Sequence, residues 1–429
     1  MAAVQQNNDQ SYWAYVKRQF RKKKTALYSL YVVYFFVAVA LLAPFLANEK
    51  PLVCKYNGTL YFPVFKELVV GFGLGEFPRE LQNADWKNLT YDFVMFPPVP
   101  YLPMNQDNDN IHSKGPFDEQ VIPSTRWKHW FGTDELGRDV LSGMIHGTRI
   151  AMTVGIVSMS IASVIGIFMG ALAGFFGDNN FQVSRIRIWM NLIFLFFGFF
   201  YGFGVRSYAI TDALGESLGK GLVQLLISIG IFAAVMVLAN LLATVLKKIP
   251  ALGKQVNVPF DLVIMRIIEV LNSIPTLFLI LLIISIVRKP NLYVIMLIIG
   301  ATSWTGVARF IRAELLKVRN LEYIEAAQSL GFSNFQILFK HAIPNALSPV
   351  LISIAFGIAG AILTESTLSF LGLGPADTVT WGQLLSYARQ IPQAWWLAIF
   401  PGFAIFINVT VFNLIGDGLT DALDPRLKQ

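Results

Sequence analysis

Eight apolar runs of membrane-spanning length, at residues 25–47, 150–176, 186–205, 222–246, 261–287, 291–308, 346–371 and 397–415, leave this chain few folds to adopt. A run of about 20 apolar residues crosses a hydrocarbon core of roughly 30 Å as a helix. In lipid every backbone N–H and C=O must be satisfied within the segment, so helices are the natural solution. The composition agrees: 55% of the 429 residues are hydrophobic and 14% are charged, and the mean hydropathy is +0.55. The expectation is an all-α polytopic membrane protein.

Orientation follows from charge. Residues 1–24 end in six Lys/Arg between Lys17 and Lys24, directly before the first apolar run 25–47, and such clusters stay in the cytoplasm. That position also explains much of the net charge of +7 without nucleic acid. The run is too long for a signal peptide and lacks a small-residue cleavage site. Residues 48–149 then lie outside, with thirteen acidic against ten basic residues. Within them, YFPVF (Tyr61 to Phe65) and YDFVMF (Tyr91 to Phe96) read as strands or buried loops. The single cysteine, Cys54, excludes an internal disulfide and reads as an inert thiol. The four histidines form no metal-spaced pair, and no cofactor is expected.

One polar stretch between two apolar runs carries its own helical punctuation. In Leu321 to Pro344, LEYIEAAQSLGFSNFQILFKHAIP, a helix bearing Glu322, Glu325, Ala326 and Ala327 stops at Gly331, a residue free to take the left-handed cap. A second opens at Ser333 with Gln336 three positions on, the capping-box spacing, and should end before Pro344. Phe335, Ile337, Leu338 and Phe339 are too many apolar residues to leave in water, so the pair reads as a docking surface.

The spacing from Glu325-Ala326-Ala327 through Gly331 to His341-Ala342-Ile343-Pro344 resembles the EAA loop of importer permeases of the ATP-binding-cassette class. The resemblance implies that this segment is a cytoplasmic coupling helix seated in a separate ATPase, with Glu322, Glu325, Ala326, Ala327, Gly331 and Pro344 as coupling residues. Trp130 to Ile150, WFGTDELGRDVLSGMIHGTRI, resembles the GTDxxGRDV signature of peptide and nickel permeases, which places Asp134, Gly137, Arg138 and Asp139 at the outer mouth. Locally, Thr133 or Asp134 can cap a short helix, and Asp134 and Arg138 stand at i,i+4. Ala47 to Glu67 looks like the outer segment of the Yej-type branch, from importers of oligopeptides and microcin C.

Around these motifs the domain plan is a basic N-terminus 1–24, a first span 25–47, an outer segment 48–149, a permease domain 150–416 with a coupling loop 309–345, and a tail 417–429 carrying Asp424-Pro425-Arg426. Gly166, Gly170 and Gly174 give the second run a small-residue packing face. The chain departs from the family where GFFGD (Gly174 to Asp178) should lead directly to the helix of Met265 to Glu269. Two extra apolar runs intervene and read as an inserted hairpin, 186–246, with Arg206 to Gly221 outside. Six core spans plus this hairpin make eight, with both termini cytoplasmic. Pro275 is expected to kink the next span, and Arg288 to Pro290 to turn outside.

Two carboxylates fall inside apolar spans, at Glu269 and Glu365, and such groups face a partner or a watery path. Both are candidates for the translocation path, with helix-to-helix hydrogen bonding as the rival. No Walker A loop is present; Gly253-Lys254-Gln255 lacks both the glycine loop and the hydroxyl. No catalytic motif appears either, so the expected role is transport and not enzymology. The resemblance implies a second, B-type permease subunit, two ATPases and an extracytoplasmic binding protein as partners, in a bacterial inner-membrane importer of peptides. Its rivals are a permease for nickel or another non-peptide substrate, and an ion-driven secondary transporter, whose usual inverted repeat is not seen here.

Overall fold

The computed structural model describes residues 12–71, 75–78, 81, 84–178, 182–249, 252–286, 291–375 and 377–423. The expected turn at Arg288 to Pro290 and the Asp424-Pro425-Arg426 motif lie outside these residues. The chain opens with helix α1 (Tyr12–Lys22), where the sequence was read only as a polar, basic tail. A single extended residue, Lys23, separates it from the first span, α2 (Lys24–Leu46).

Strands β1 (Val53–Tyr56) and β2 (Thr59–Tyr61) follow as a hairpin. Its two-residue loop is Asn57-Gly58, both at positive φ, the conformation that matches the twist of paired strands. YFPVF does not continue as a strand: Pro63 opens helix α3 (Pro63–Gly71), because its fixed φ and absent N–H suit a first helical turn. YDFVMF does contain a strand, β3 (Phe93–Met95), which pairs antiparallel with β1 on its other edge. Cys54, on β1, is fully buried with Leu81 and Trp86. Burial pushes its thiol pKa up, which suits an unreactive residue.

Helix α4 (Val140–Ala171) ends in a wide π-turn, Leu172–Phe176. Next come β4 (Gln182–Ser184), α5 (Arg185–Phe199), a second π-turn at Phe200–Gly204, α6 (Ser207–Glu216), α7 (Leu218–Leu246) and β5 (Gln255–Asn257). Helices α8 (Phe260–Ser273) and α9 (Thr276–Ile286) meet at 87° around Pro275, a sharper break than a kink. Then α10 (Leu292–Val318), α11 (Glu322–Ser329), α12 (Asn334–Ile337), α13 (Ile343–Ala346), α14 (Ser348–Phe370), α15 (Trp381–Gln390) and α16 (Trp396–Leu423) complete the order. Among the described residues seven helices are long and apolar enough to cross a membrane, eight if the bent α8–α9 pair counts as one span. The protein is a polytopic helical membrane protein.

Two compact units divide the chain, 1–157 with 355–429, and 158–354. In the first, α2 runs along α16, and Gly418 allows Ala26 and Phe20 to approach its backbone. In the second, Gly166, Gly170 and Gly174 lie against α10: a Cβ at Gly170 would stand 2.5 Å from the Ala308 carbonyl oxygen, and one at Gly174 would stand 2.7 Å from that of Arg312. The small-residue face is a helix-packing surface.

The insertion folds largely on itself. Its base is closed by the β4–β5 pair, Gln182 opposite Asn257. Gly198 seats the Phe232 ring, Asn240 Nδ2 donates to Asn191 Oδ1 at 3.0 Å, and Arg206 donates to Ser228 and Gln224. The hairpin turns within the stretch Arg206 to Gly221. Helix α6 occupies most of it and the reversal is confined to Ser217, which caps α7 by accepting from Lys220 N at 3.2 Å. A Glu216–Lys220 pair across that cap supports the tight turn.

Candidate coupling loop and outer cluster

The loop at Leu321 to Pro344 is built by two complementary end motifs. Helix α11 closes in a Schellman arrangement: Gly331, at φ +82°, donates to Gln328 O at 3.0 Å, and Phe332 donates to Ala327 O at 3.2 Å. Two residues later Ser333 Oγ accepts from Gln336 N at 3.3 Å while Gln336 Oε1 accepts from Ser333 N at 3.0 Å, a full capping box. These motifs fix the angle between α11 and α12.

Pro344 does not end the second helix. Past α12 the backbone widens into a π-turn, Leu338–Ala342, and Pro344 sits in the first turn of α13, where its missing N–H costs little. The apolar residues divide as well. Ile337 and Leu338 are buried, with Ile324 and Ala327, and pin the loop to its own unit. Phe335 (57% exposed) and Phe339 (60%) remain outside, with Leu330 (78%) and the exposed Glu322, Glu325 and Ala326. Only the latter group forms an exposed face.

Beside it is a cleft of about 610 Å³, lined by Phe175, Phe176, Arg319, Gln328, Phe332 and Asn334 among others. Arg319 Nη1 donates to Gly174 O at 3.3 Å, so the π-turn after α4 forms one wall. Arg312 grips Asp261 with two bonds, Nε–Oδ1 at 2.5 Å and Nη2–Oδ2 at 2.7 Å.

The GTDELGRD segment is a turn and not a short helix. Asp134 Oδ1 accepts from Leu136 N (3.0 Å) and Arg138 N (2.9 Å), and Oδ2 takes Arg138 Nε at 2.6 Å. The expected Asp134–Arg138 pair is therefore present, nearly buried, with the guanidinium over the Tyr387 ring at 4.8 Å. The helix cap falls to Asp139, whose Oδ1 accepts from Ser142 N in the first turn of α4. Gly137 holds φ +76°, and a Cβ there would overlap the Asp107 carbonyl oxygen.

Behind this turn lies a network that sequence reading missed. Fully buried His129 bridges Asp139 Oδ2 (Nδ1, 2.8 Å) and Asp107 Oδ2 (Nε2, 3.2 Å), and its ring stacks on Tyr101 at 4.3 Å. No local spacing marks it, since Asp107 and His129 stand 22 positions apart. Burial raises the Asp107 carboxyl, but hydrogen bonds from Asn110 and His129 and the charge of Lys87 outweigh it and hold the pKa below the usual carboxylate range. A depressed carboxylate contributes stability above its unfolded value and loses it as pH falls through its folded value. Hydrogen exchange over residues 105–142 should therefore stay slow to about pH 4 and quicken below it; an Asp107→Asn chain with the same acid profile as wild type would refute this.

The two membrane carboxylates part company. Glu365 is 1% exposed in α14 and accepts from Ser369 Oγ at 2.6 Å, one turn along the same helix. The facing Gly382 in α15 has no room for a side chain above Ser366. Glu269 is exposed on α8 and pairs with Arg266 at 2.6 Å.

Comparison with known proteins places this architecture. Residues 249–429 match the family described as binding-protein-dependent transport system inner membrane component, and residues 11–58 match the N-terminal TM domain of oligopeptide transport permease C. The chain is similar to the inner membrane ABC transporter permease protein YejE of Escherichia coli (strain K12), 27% identical over 97% of both chains. It is 25% identical to the peptidoglycan transport system permease protein YejE of Agrobacterium fabrum, over 95% of this chain and 92% of that one. With the oligopeptide transport system permease protein OppC of Haemophilus influenzae it shares 31% identity over 71% of this chain and 73% of the other. The chain belongs to the binding-protein-dependent transport system inner membrane components, as a multi-pass permease of the oligopeptide and dipeptide type and not an enzyme.

Proposed function

We propose that this protein is the membrane-spanning half-channel of an ATP-driven peptide importer, coupled to separate ATPase subunits through the loop at Leu321 to Pro344. One observation carries the coupling role: a helix pair whose angle is fixed by a Schellman motif and a capping box presents Leu330, Phe335 and Phe339 to solvent. Exposed apolar surface on a rigid loop outside the apolar spans is suited to a protein partner. Glu322 and Glu325 ring that face with negative charge, so a partner with basic residues fits. The likeness to relatives named for oligopeptide and dipeptide transport supports peptides as cargo.

A B-type permease, two ATPases and an outer binding protein complete the assembly. The termini and the loop face the cytoplasm, with Asp134, Gly137, Arg138 and Asp139 outside. Glu365 supports the packing of α14 against α15, while Glu269, exposed and ion-paired, is the better candidate for a wet surface.

The complete transporter in proteoliposomes should take up labelled oligopeptides only with ATP and its binding protein. Uptake of another solute class, with peptides inert, would reject the cargo; copurification without any ATPase would reject the coupling. For topology, Ser217→Cys in a Cys54→Ser background should react with an impermeant thiol reagent added to intact cells. Labelling that requires permeabilisation would place the hairpin tip inside.

A further inference from the structure

We propose that α1 is an interfacial helix whose basic face binds the headgroups of anionic phospholipids. Its sides are chemically opposite. Val16 is 5% exposed, and with Phe20 one turn on it faces the end of α16, where Gly418 leaves space for the Phe20 ring. Lys17, Arg18, Arg21 and Lys22 recur at the same helical spacing and stand exposed. Among the described residues none of these four pairs with a carboxylate, and the neighbouring Asp421 is taken by Lys23 at 2.6 Å.

Two further features choose lipid as the occupant. Helix α1 connects to the span α2 through one extended residue, Lys23, so the basic face is tethered at the depth where a span leaves the hydrocarbon. The Val16–Phe20 side packs on another span, which fixes the rotation of α1 and keeps the charged stripe from turning inward. Four cations held at that level complement an anionic leaflet, which attracts juxtamembrane Lys and Arg. This rests on the proposed membrane embedding but not on which leaflet is cytoplasmic, because a nanodisc offers both faces.

The test uses the full chain in nanodiscs of phosphatidylcholine with a minority of phosphatidylglycerol, and spin-labelled forms of each lipid. Wild type should immobilise the glycerol lipid in preference to the choline lipid, and high salt should abolish that preference because screening shortens to a few Å. Replacing Lys17, Arg18, Arg21 and Lys22 together by Gln should remove most of the preference. These side chains are exposed, so the fold should survive, and the salt titration of wild type tests the idea without any variant. A preference that survives salt, or is equal in the Gln variant, overturns the proposal. So does protection of α1 from trypsin that appears only when ATPase subunits are added, since the stripe would then be a protein-docking surface.

Discussion

Replacing Gly331 by Val is expected to uncouple the transporter while leaving it in the membrane. The residue sits at φ +82°, and a Cβ there would meet nothing within 4 Å, so the damage is purely conformational. A β-branched residue in that region costs on the order of 1–3 kcal/mol. The chain can relieve the strain by opening the Schellman bonds from Gly331 and Phe332, and α12 then swings away from its angle to α11. Ile337 and Leu338, buried in the unit below, resist that swing and share its cost. Peptide uptake and substrate-stimulated ATPase activity should fall together, about tenfold, with normal expression and binding-protein affinity. Gly331→Asn, whose side chain tolerates the left-handed region, should keep most activity. Equal activity in the Val and Asn proteins would show that the turn does not transmit the ATPase movement.

What the sequence disclosed and what it withheld divide along one physical line. The Schellman cap, the capping box and the Asp134–Arg138 pair were legible because each is decided within six residues by backbone geometry. The glycine face of α4 was legible because its four-residue repeat is itself the packing rule. The end of α12 was misjudged at Pro344 because a π-turn, which lets the helix absorb a proline, leaves no periodic mark. Helix α6 at the hairpin tip was not legible, because Arg206 to Gly221 looks polar while its polar groups are used up inside helices: Arg206 on Ser228 and Gln224, Glu216 on Lys220, Ser217 as cap. Helix α1 did carry a signal, Val16 and Phe20 against four basic residues, which was read only as a charge cluster. The His129 network carried none, since it is assembled from three segments by tertiary folding.

That network makes Gly137→Ala the severest single substitution expected in the outer segment. Two costs add here, whereas Gly331 has one. The left-handed φ of +76° costs about 1–2 kcal/mol for alanine. The new methyl also collides with the carbonyl oxygen of Asp107, a backbone atom that cannot rotate away, and overpacking of this kind costs a further 1–3 kcal/mol or so. Asp107 N donates to Gly137 O at 3.0 Å, so the two segments of the turn must separate together. Moving Asp107 withdraws its carboxylate from His129, which loosens Asp139, which holds the first turn of α4 through Ser142 N. Gly58→Ala is the matching control, with φ +77° and nothing within 4 Å, so it bears the conformational cost alone. The expected result is a Gly137→Ala protein that accumulates poorly and is cut by protease between residues 105 and 142, beside a Gly58→Ala protein close to wild type. If both accumulate and resist protease equally, the contact between Gly137 and Asp107 does not hold the outer segment to α4.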